Sequence, residues 1–402
     1  MIGGLLLIVV LFFLSQALLR KIKKERNWFS IKLIQNLYWY HTFFAAVYYI
    51  MALYASSDSV EYFSRTQFYY KNWFEAFESG TPFIDFVAYP FINYLHFSYE
   101  MMMILFAWMG FWGFVYFYIF FKENIRYTHK FQGYDLITLF IFLPNMHFWT
   151  ASLGKGSIIF LGLGLATYAL SQLKHRKPAL VLGLAIVYYV RPHVFLFMIV
   201  GIIVGFVTGK QKVPAYQKIL VIAGGIVALA LLYNSIIDFV GLDSDNLVSS
   251  FDQFSSHRAE ELAKANSGID ISNYPLIFKL FTFWFRPLFI DAPGVNGLIV
   301  SFENLLYIFL TYKLFQSGFF KFFGKSSALV KTSAVVFLGI SIALAQTLSN
   351  MGIIVREKSM VMYYLLFIII SFLDYKKSLY ISKKEKALAQ KQAQPVQAIN
   401  MA

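Results

Sequence analysis

Long apolar runs separated by short basic clusters constrain this chain more than any other feature. The first run, "IGGLLLIVVLFFLSQALL", is followed at once by "RKIKKER", and the pattern then recurs along the sequence. Runs of roughly 15 to 22 apolar residues are the length needed to cross a bilayer, where only helices and closed barrels satisfy their own backbone hydrogen bonds. Hydrophobic residues make up 58% of the chain and charged residues 14%. The sequence therefore predicts an all-α fold, a polytopic transmembrane helical bundle.

Basic clusters predict which ends of these helices face the cytoplasm, because Lys and Arg are enriched in cytoplasmic loops. They lie at 20–26, 122–130, 174–177, 210–218, 321–331 and from Lys376 onward. Two apolar runs separate each cluster from the next, which predicts about eleven spans, an outside N-terminus and an inside C-terminus. The spans are 2–19, 33–55, 99–121, 134–150, 156–173, 179–191, 193–208, 219–240, 296–315, 329–348 and 360–374. In an alternative interpretation, segments 83–97 and 276–290 form re-entrant or interfacial structure.

We expect residues 1–375 to form a single transmembrane domain and 376–402 a basic cytoplasmic tail that is disordered or a short surface helix. The first run lacks a basic leading region and a small-residue cleavage site, so we interpret it as a retained helix. Two larger loops, 55–98 and 241–275, fall outside. In the second, "SSHRAEELAKA" has helix-forming composition after a serine cap, and in the first, "EYFSRTQFYYKNWFEAF" indicates an interfacial helix or a sugar-stacking surface.

Charge and residue types exclude several classes of function. The net charge of +14 sits in short clusters between apolar runs, which indicates membrane topology and not nucleic-acid binding. The chain has no cysteine, so disulfides, cysteine-ligated metals and thiol nucleophiles are excluded. It also lacks a P-loop and a dinucleotide fingerprint, and no predicted cytoplasmic segment is long enough for a nucleotide-sugar domain.

Several Lys and Arg residues lie at helix junctions that are predicted to face outside, although these residue types are usually enriched on the cytoplasmic side. Arginine recognises phosphate bidentately and lysine acts as a point charge, and Gly154 and Gly156 would let the backbone approach a ligand beside Lys155. We expect a shared phosphate or pyrophosphate site, and the alternative is a set of anchors for lipid headgroups. Its predicted residues are Lys155, Arg191, Arg286, Arg356 and Lys358, with Arg65, His147 and His193 as further substrate contacts. The alternative for the two histidines is that they are interior residues whose ring nitrogens form hydrogen bonds within the protein.

Asp58 and Glu61 are the candidate catalytic carboxylates. They are spaced by three residues just after the second apolar run, so both would lie on one side of a short helix. A carboxylate there, opposite several cations, could deprotonate a sugar hydroxyl as a general base. The alternative is helix capping, with "SSDS" as the N-cap and an acidic first turn.

A family resemblance rests on several motifs in a fixed order. "SSDSVEYF" and "GTPFIDF" precede "PNMHFWTASLGKGSIIF", "VYYVRPH", "FRPLFIDAPG" and "NMGIIVREK". This order resembles the Wzy-like oligosaccharide repeat-unit polymerases and related GT-C-type glycosyltransferases of bacteria, over most of residues 50–360. The resemblance implies an undecaprenyl-pyrophosphate-linked donor, transfer at the outer face of the inner membrane, arginines 191, 286 and 356 on the pyrophosphate, and Asp58 as base.

The resemblance implies no cofactor, but a second acidic motif found in many such enzymes is not located here, which leaves a requirement for a divalent metal open. No metal-ligating residues are predicted. The expected partners are a polyprenyl-linked glycan and membrane lipids, with protein partners unidentified. Two other functions stay open: a flippase or transporter for lipid-linked glycans, and a non-enzymatic subunit or scaffold of an export complex.

Overall fold

A computed structural model describes residues 2–210, 214–240, 247–263, 268–269, 271, 274–292 and 294–399. Apart from one hairpin, these residues form helices and their connections. The α-helices are α1 (Ile2–Glu25), α2 (Ile31–Tyr54), α3 (Asp58–Phe68), α4 (Thr81–Tyr89), α5 (Tyr99–Asn124), α6 (Leu136–Ile141), α7 (Pro144–Thr150), α8 (Lys155–Ser171), α9 (Lys177–Val190), α10 (Pro192–Thr208), α11 (Ala215–Val240), α12 (Leu247–Ala263), α13 (Leu276–Phe285), α14 (Gly294–Tyr312), α15 (Phe319–Lys325), α16 (Ala328–Thr347), α17 (Met351–Glu357) and α18 (Met362–Ile399).

Shorter elements connect them. Strands β1 (Lys130–Phe131) and β2 (Tyr134–Asp135) pair antiparallel. Turns of 3-10 helix span Trp73–Ala76, Lys313–Phe315 and Lys358–Met360, and a π-helical turn spans Pro90–Tyr94. The all-helical prediction is confirmed for the part of the chain that the structure describes.

Five of the described helices are long and apolar enough to cross a membrane, namely α1, α5, α11, α14 and α16. A sixth span results if α2 and α3, which meet at a bend of 78°, are taken together. Five further apolar segments have 10 to 17 residues. The chain is therefore a membrane protein by the length and composition of its helices, and the number eleven and the orientation stay predictions.

The core forms around α5, which packs most closely against α8. A Cβ at Gly164 would lie 2.7 Å from the carbonyl oxygen of Gly113, so these two glycines allow the backbones of the two helices to touch. Small residues at a helix crossing allow close van der Waals packing where lipid supplies no hydrophobic driving force. Helix α10 packs on α16, and the buried first half of α18 contacts both α16 and α5. The helices that carry the candidate site are thus held in one bundle.

Several details differ from the sequence predictions. The predicted span 134–150 is divided between α6 and α7, and the predicted aromatic helix ends at Phe68 because Asn72 caps a separate turn by accepting hydrogen bonds from the N–H groups of Phe74 and Glu75. Helix α12 confirms the helix predicted within the 241–275 loop but begins before Ser255, so that serine is not its cap. In the tail, α18 continues to Ile399, as in the surface-helix alternative, since its Ala, Lys, Glu and Gln residues favour helix.

Candidate functional site

A cavity of about 460 Å³ lies where the ends of several helices meet. We call it the charged cavity. Its walls come from α3, the α7–α8 connection, the α9–α10 junction, α12, the end of α16 and α17. Helices α8, α10 and α16 each have one end at this cavity and the other beside a basic cluster. The cavity is therefore at the opposite ends of these helices from the clusters.

Of the ten residues that the sequence predicts for the site, five line the charged cavity. They are Asp58, Lys155, Arg191, His193 and Arg356. The cavity also contains Glu357 and Arg258, which the prediction left out, and the aromatic side chains Tyr48, Tyr62, Trp149 and Phe254. The cations that line it, Lys155, Arg191, Arg258 and Arg356, are called the cation cluster below.

Local sequence explains where the backbone presents these groups. Pro192 occupies the first position of α10, and the residue before a proline is disfavoured in helical geometry. Arg191 accordingly has φ −151° and ψ 86° and separates α9 from α10, so it lies at a break facing the cavity. Arg356 is placed by α17, whose N-cap Asn350 accepts a hydrogen bond from the N–H of Ile353 at 3.2 Å.

Lys155 is the first residue of α8, and its position depends on Gly156. A Cβ at Gly156 would lie 2.2 Å from the carbonyl oxygen of Trp149, so only glycine fits beside the end of α7. Among the described residues no hydrogen bond or ion pair to Lys155 is found, although Arg191, Arg356, Glu357 and Asp58 all act on it electrostatically. Its ammonium group is a cation with no direct counter-ion in that part of the chain.

Glu357 is the buried counter-ion of the cation cluster. Its Oε1 accepts from Nη2 of Arg191 at 2.5 Å and lies 3.6 Å from Nε of Arg356, and the side chain is 4% exposed. Burial by itself raises the pKa of Glu357, but the charges of Arg191 and Arg356 outweigh burial and hold that pKa below its usual value. Nε of Arg191 is buried without a hydrogen-bond partner in the described structure, so this guanidinium keeps an unused donor.

Asp58 forms the second ion pair, and it is far more exposed. Its Oδ2 accepts from Nη1 of Arg356 at 2.8 Å, with 56% of the Asp58 side chain and 35% of the Arg356 side chain accessible. The cap of α3 is Ser57, whose hydroxyl accepts from the N–H of Ser59. Asp58 is therefore the first helical residue and not the cap, and the acidic first turn that the capping alternative predicts is present.

Helix α12 contributes one face to the cavity. Phe254, Arg258 and Leu262 line it and are spaced by four residues, which places them on the same side of a helix. The chain after α12 is fixed by a hydrogen bond from the N–H of Ile269 to the carbonyl of Ser349 at 2.8 Å and by the bridge between Gly268 and Asn350. Four cations and two carboxylates line the cavity, so its fixed charge is positive and favours an anion.

Glu61 and Arg65 lie outside the charged cavity, because another carboxylate holds Arg65. Asp85, which is fully buried, accepts from Nε of Arg65 at 2.6 Å and also from Thr66 and Tyr70. Burial raises the pKa of Asp85, against the lowering effect of Arg65 and its hydroxyl donors. Glu61 pairs with Arg65 at 2.8 Å on the exposed side. These groups fasten α3 to α4.

Arg286 and Lys358 also lie outside the charged cavity. Arg286 donates to Asp291 at 2.5 Å, and Lys358, 1% exposed, donates to the carbonyl of Arg286 at 2.5 Å and to Oδ1 of Asn304 at 2.8 Å. Burial lowers the pKa of Lys358 to about 7. Lys358 therefore points into the protein and fixes the 286–291 turn instead of facing a ligand with its neighbour Arg356.

His147 is an interior residue in the structure. Its Nδ1 is 2.8 Å from Nδ1 of His41, and its Nε2 is 2.7 Å from the carbonyl oxygen of Ile141. The ring also stacks on Phe114 with centroids 3.9 Å apart. This arrangement matches the interior alternative for His147, whereas His193 lines the cavity.

Glu357 and Arg258 line the cavity without having been predicted as site residues, although the sequence contained an indication for each. Glu357 sits between Arg356 and Lys358, and a carboxylate among cations at a membrane surface is a natural counter-ion. Arg258 lies in the helix predicted within the 241–275 loop, but its approach to the cavity depends on how α12 packs on α16. No group of three or more His, Asp or Glu suited to a metal is found among the described residues.

Comparison of the chain with protein-family models, with curated proteins and with solved structures finds no match. The geometry of the charged cavity and the family resemblance of the sequence are therefore the basis for assigning a function.

Proposed function

We propose that this protein is a membrane glycosyltransferase of the oligosaccharide-polymerase type, which transfers a glycan from a polyprenyl diphosphate carrier to a saccharide acceptor. The observation that carries the proposal is the meeting of the cation cluster with Asp58 and four aromatic side chains in one cavity at the ends of apolar helices. A lipid-linked donor needs this combination, because its diphosphate must sit at the membrane surface while its polyprenyl chain stays in lipid.

The cation cluster would bind the diphosphate. Arg191 and Arg356 offer planar forks for phosphate oxygens, and Lys155 adds a point charge. The diphosphate of such a donor is a diester with two negative charges, and the cavity has a surplus of two positive ones. The cations would also stabilise the charge that develops on the departing diphosphate, the largest single contribution in many enzymes.

Asp58 would act as the general base on the acceptor. Its carboxylate takes the proton of an acceptor hydroxyl, and the hydroxyl oxygen attacks the anomeric carbon of the donor sugar. The bond from that carbon to the phosphate oxygen breaks, and the polyprenyl diphosphate leaves with the electron pair. Tyr48, Tyr62 and Trp149, which line the same cavity, would supply faces on which sugar rings stack.

We further propose that the charged cavity faces the non-cytoplasmic side of a bacterial inner membrane, with eleven spans, the N-terminus outside and the C-terminus inside. The support is the distribution of charge along α8, α10 and α16, each of which has a basic cluster at the end away from the cavity. On this side the donor would be presented after it has crossed the membrane.

The test is the glycan content of cells that carry wild type or one variant at matched expression. We expect Arg191→Ala, Arg356→Ala and Asp58→Asn each to lower chain formation by about 100-fold or more, the scale of removing one stabiliser of developing charge. Gel ladders should lose long chains while mass spectrometry detects single lipid-linked units. Glu61→Gln is the matched control, because this carboxylate lies one turn from Asp58 and outside the cavity.

Two outcomes would contradict the proposal. Unchanged glycans, together with failure of another export process, would favour a subunit or scaffold. In spheroplasts, an added glycosidase reaches only lipid-linked units on the outer side. Accumulation of units that this enzyme cannot reach would place them on the cytoplasmic side and would favour a flippase.

A further inference from the structure

We propose that Asp58 is an exchangeable counter-ion of Arg356, which the donor diphosphate displaces, so that the base is released only when the donor is bound. The inference rests on the proposed function for the identity of the donor. It explains why the candidate base is found paired with a residue of the cation cluster, an arrangement that would otherwise leave both groups occupied.

The two carboxylates of the charged cavity are held very differently. Glu357 is 4% exposed and lies between two guanidinium groups, at 2.5 Å from Arg191 and 3.6 Å from Arg356. Asp58 is 56% exposed and contacts one guanidinium nitrogen at 2.8 Å. Removing one partner of a buried pair leaves an uncompensated charge, whereas an exposed pair contributes little to stability. Glu357 is thus a permanent counter-ion and Asp58 a replaceable one.

Asp58 can leave Arg356 without loosening α3. The N-cap of α3 is Ser57, which bonds to the N–H of Ser59, and Ser59 in turn contacts the hydroxyl of Tyr99 at 2.7 Å. The start of the helix is therefore fixed without the Asp58 carboxylate.

A diphosphate in the cavity can contact more cationic groups than the Asp58 carboxylate does. Beyond Arg356 it finds Lys155, whose ammonium group has no hydrogen bond or ion pair within the described chain, and the guanidinium of Arg191, which also lines the cavity. A phosphate oxyanion would therefore gain several charge-assisted hydrogen bonds where the carboxylate makes one. The consequence is an order of binding, in which an acceptor hydroxyl meets a free base only after the donor is in place.

The experiment measures binding of inorganic pyrophosphate to the purified full-length chain by titration calorimetry. Pyrophosphate competes with the Asp58 carboxylate for Arg356, and this ion pair contributes no more free energy than other exposed ion pairs. Asp58→Asn should therefore bind pyrophosphate about two- to fivefold more tightly than wild type. Asp58→Ser should do the same, since it also removes the charge and keeps a residue suited to a helix start. Glu61→Gln, on the same helix but outside the cavity, should bind as wild type does.

The possible results distinguish failure of this inference from failure of the proposed function. Equal or weaker binding by both Asp58 variants overturns the exchange and leaves the anion site intact. Absence of binding in wild type and in both variants overturns the anion site and the exchange together. Tighter binding by the variants, combined with normal glycans in cells that carry them, supports the exchange but contradicts the role of Asp58 as base.

Discussion

Glu357 is the side chain on which the spacing of Arg191 and Arg356 depends. Both guanidinium groups approach its Oε1, and the carboxylate is buried. We expect Glu357→Gln to lower the free energy of unfolding by about 3 to 5 kcal/mol, the range for breaking a buried ion pair. The change can be followed by tryptophan fluorescence on heating or denaturation, because the chain has seven tryptophans. Glu61→Gln, which breaks an exposed pair, should cost only about 0 to 1 kcal/mol.

The same residue predicts a dependence of stability on pH. The pKa of Glu357 is lower in the folded chain than the ordinary value of about 4.3 in an unfolded one. Its contribution is therefore complete above the unfolded pKa and is lost as the pH falls through the folded one. Wild type should lose more stability than Glu357→Gln between about pH 5 and pH 3. Parallel curves for the two proteins would show that the ion pair does not stabilise the fold.

At the scale of secondary-structure elements, the contact between α7 and α8 positions the first turn of α8. Gly156→Ala would place a Cβ 2.2 Å from the carbonyl oxygen of Trp149, so α8 must shift and carry Lys155 with it. We expect a loss of about 1 to 3 kcal/mol of stability, typical of overpacking, and weaker binding of pyrophosphate. Gly324→Ala is the control, because a Cβ there meets no atom within 4 Å.

A stable Gly156→Ala variant with normal pyrophosphate binding would contradict this account of α8. Loss of stability with unchanged binding would instead separate packing of the helix from the placement of Lys155. Measuring both quantities on the same preparation therefore distinguishes a structural effect from an effect on the site.

At the scale of the whole molecule, the orientation can be measured directly because the chain contains no cysteine. Glu78→Cys lies two residues before Gly80, whose N–H donates to the carbonyl of Tyr189 next to the cavity residue Val190. Lys174→Cys lies in a basic cluster, and both positions are exposed. A membrane-impermeant maleimide on intact spheroplasts should label Glu78→Cys, and should label Lys174→Cys only after permeabilisation. The cysteine-free parent reports background labelling. The reverse pattern would place the charged cavity in the cytoplasm.

Much of the architecture follows from local sequence. Apolar length and composition predict membrane helices, because a backbone in lipid must satisfy its own hydrogen bonds whatever its neighbours are. Alternation of basic clusters along the chain also groups Asp58, Lys155, Arg191, His193 and Arg356 at one end of the bundle. These predictions depend only on the order of segments, which is why they need no knowledge of packing.

Only the tertiary structure decides which of the grouped charges meet. Arg286 pairs with Asp291, Arg65 with Asp85, and Lys358 turns inward to Asn304, while α12 brings Arg258 to the cavity from a distant loop. Charge pairing depends on separations of a few ångströms and on local burial. Helix packing sets both of these quantities, and the order of residues along the chain does not contain them.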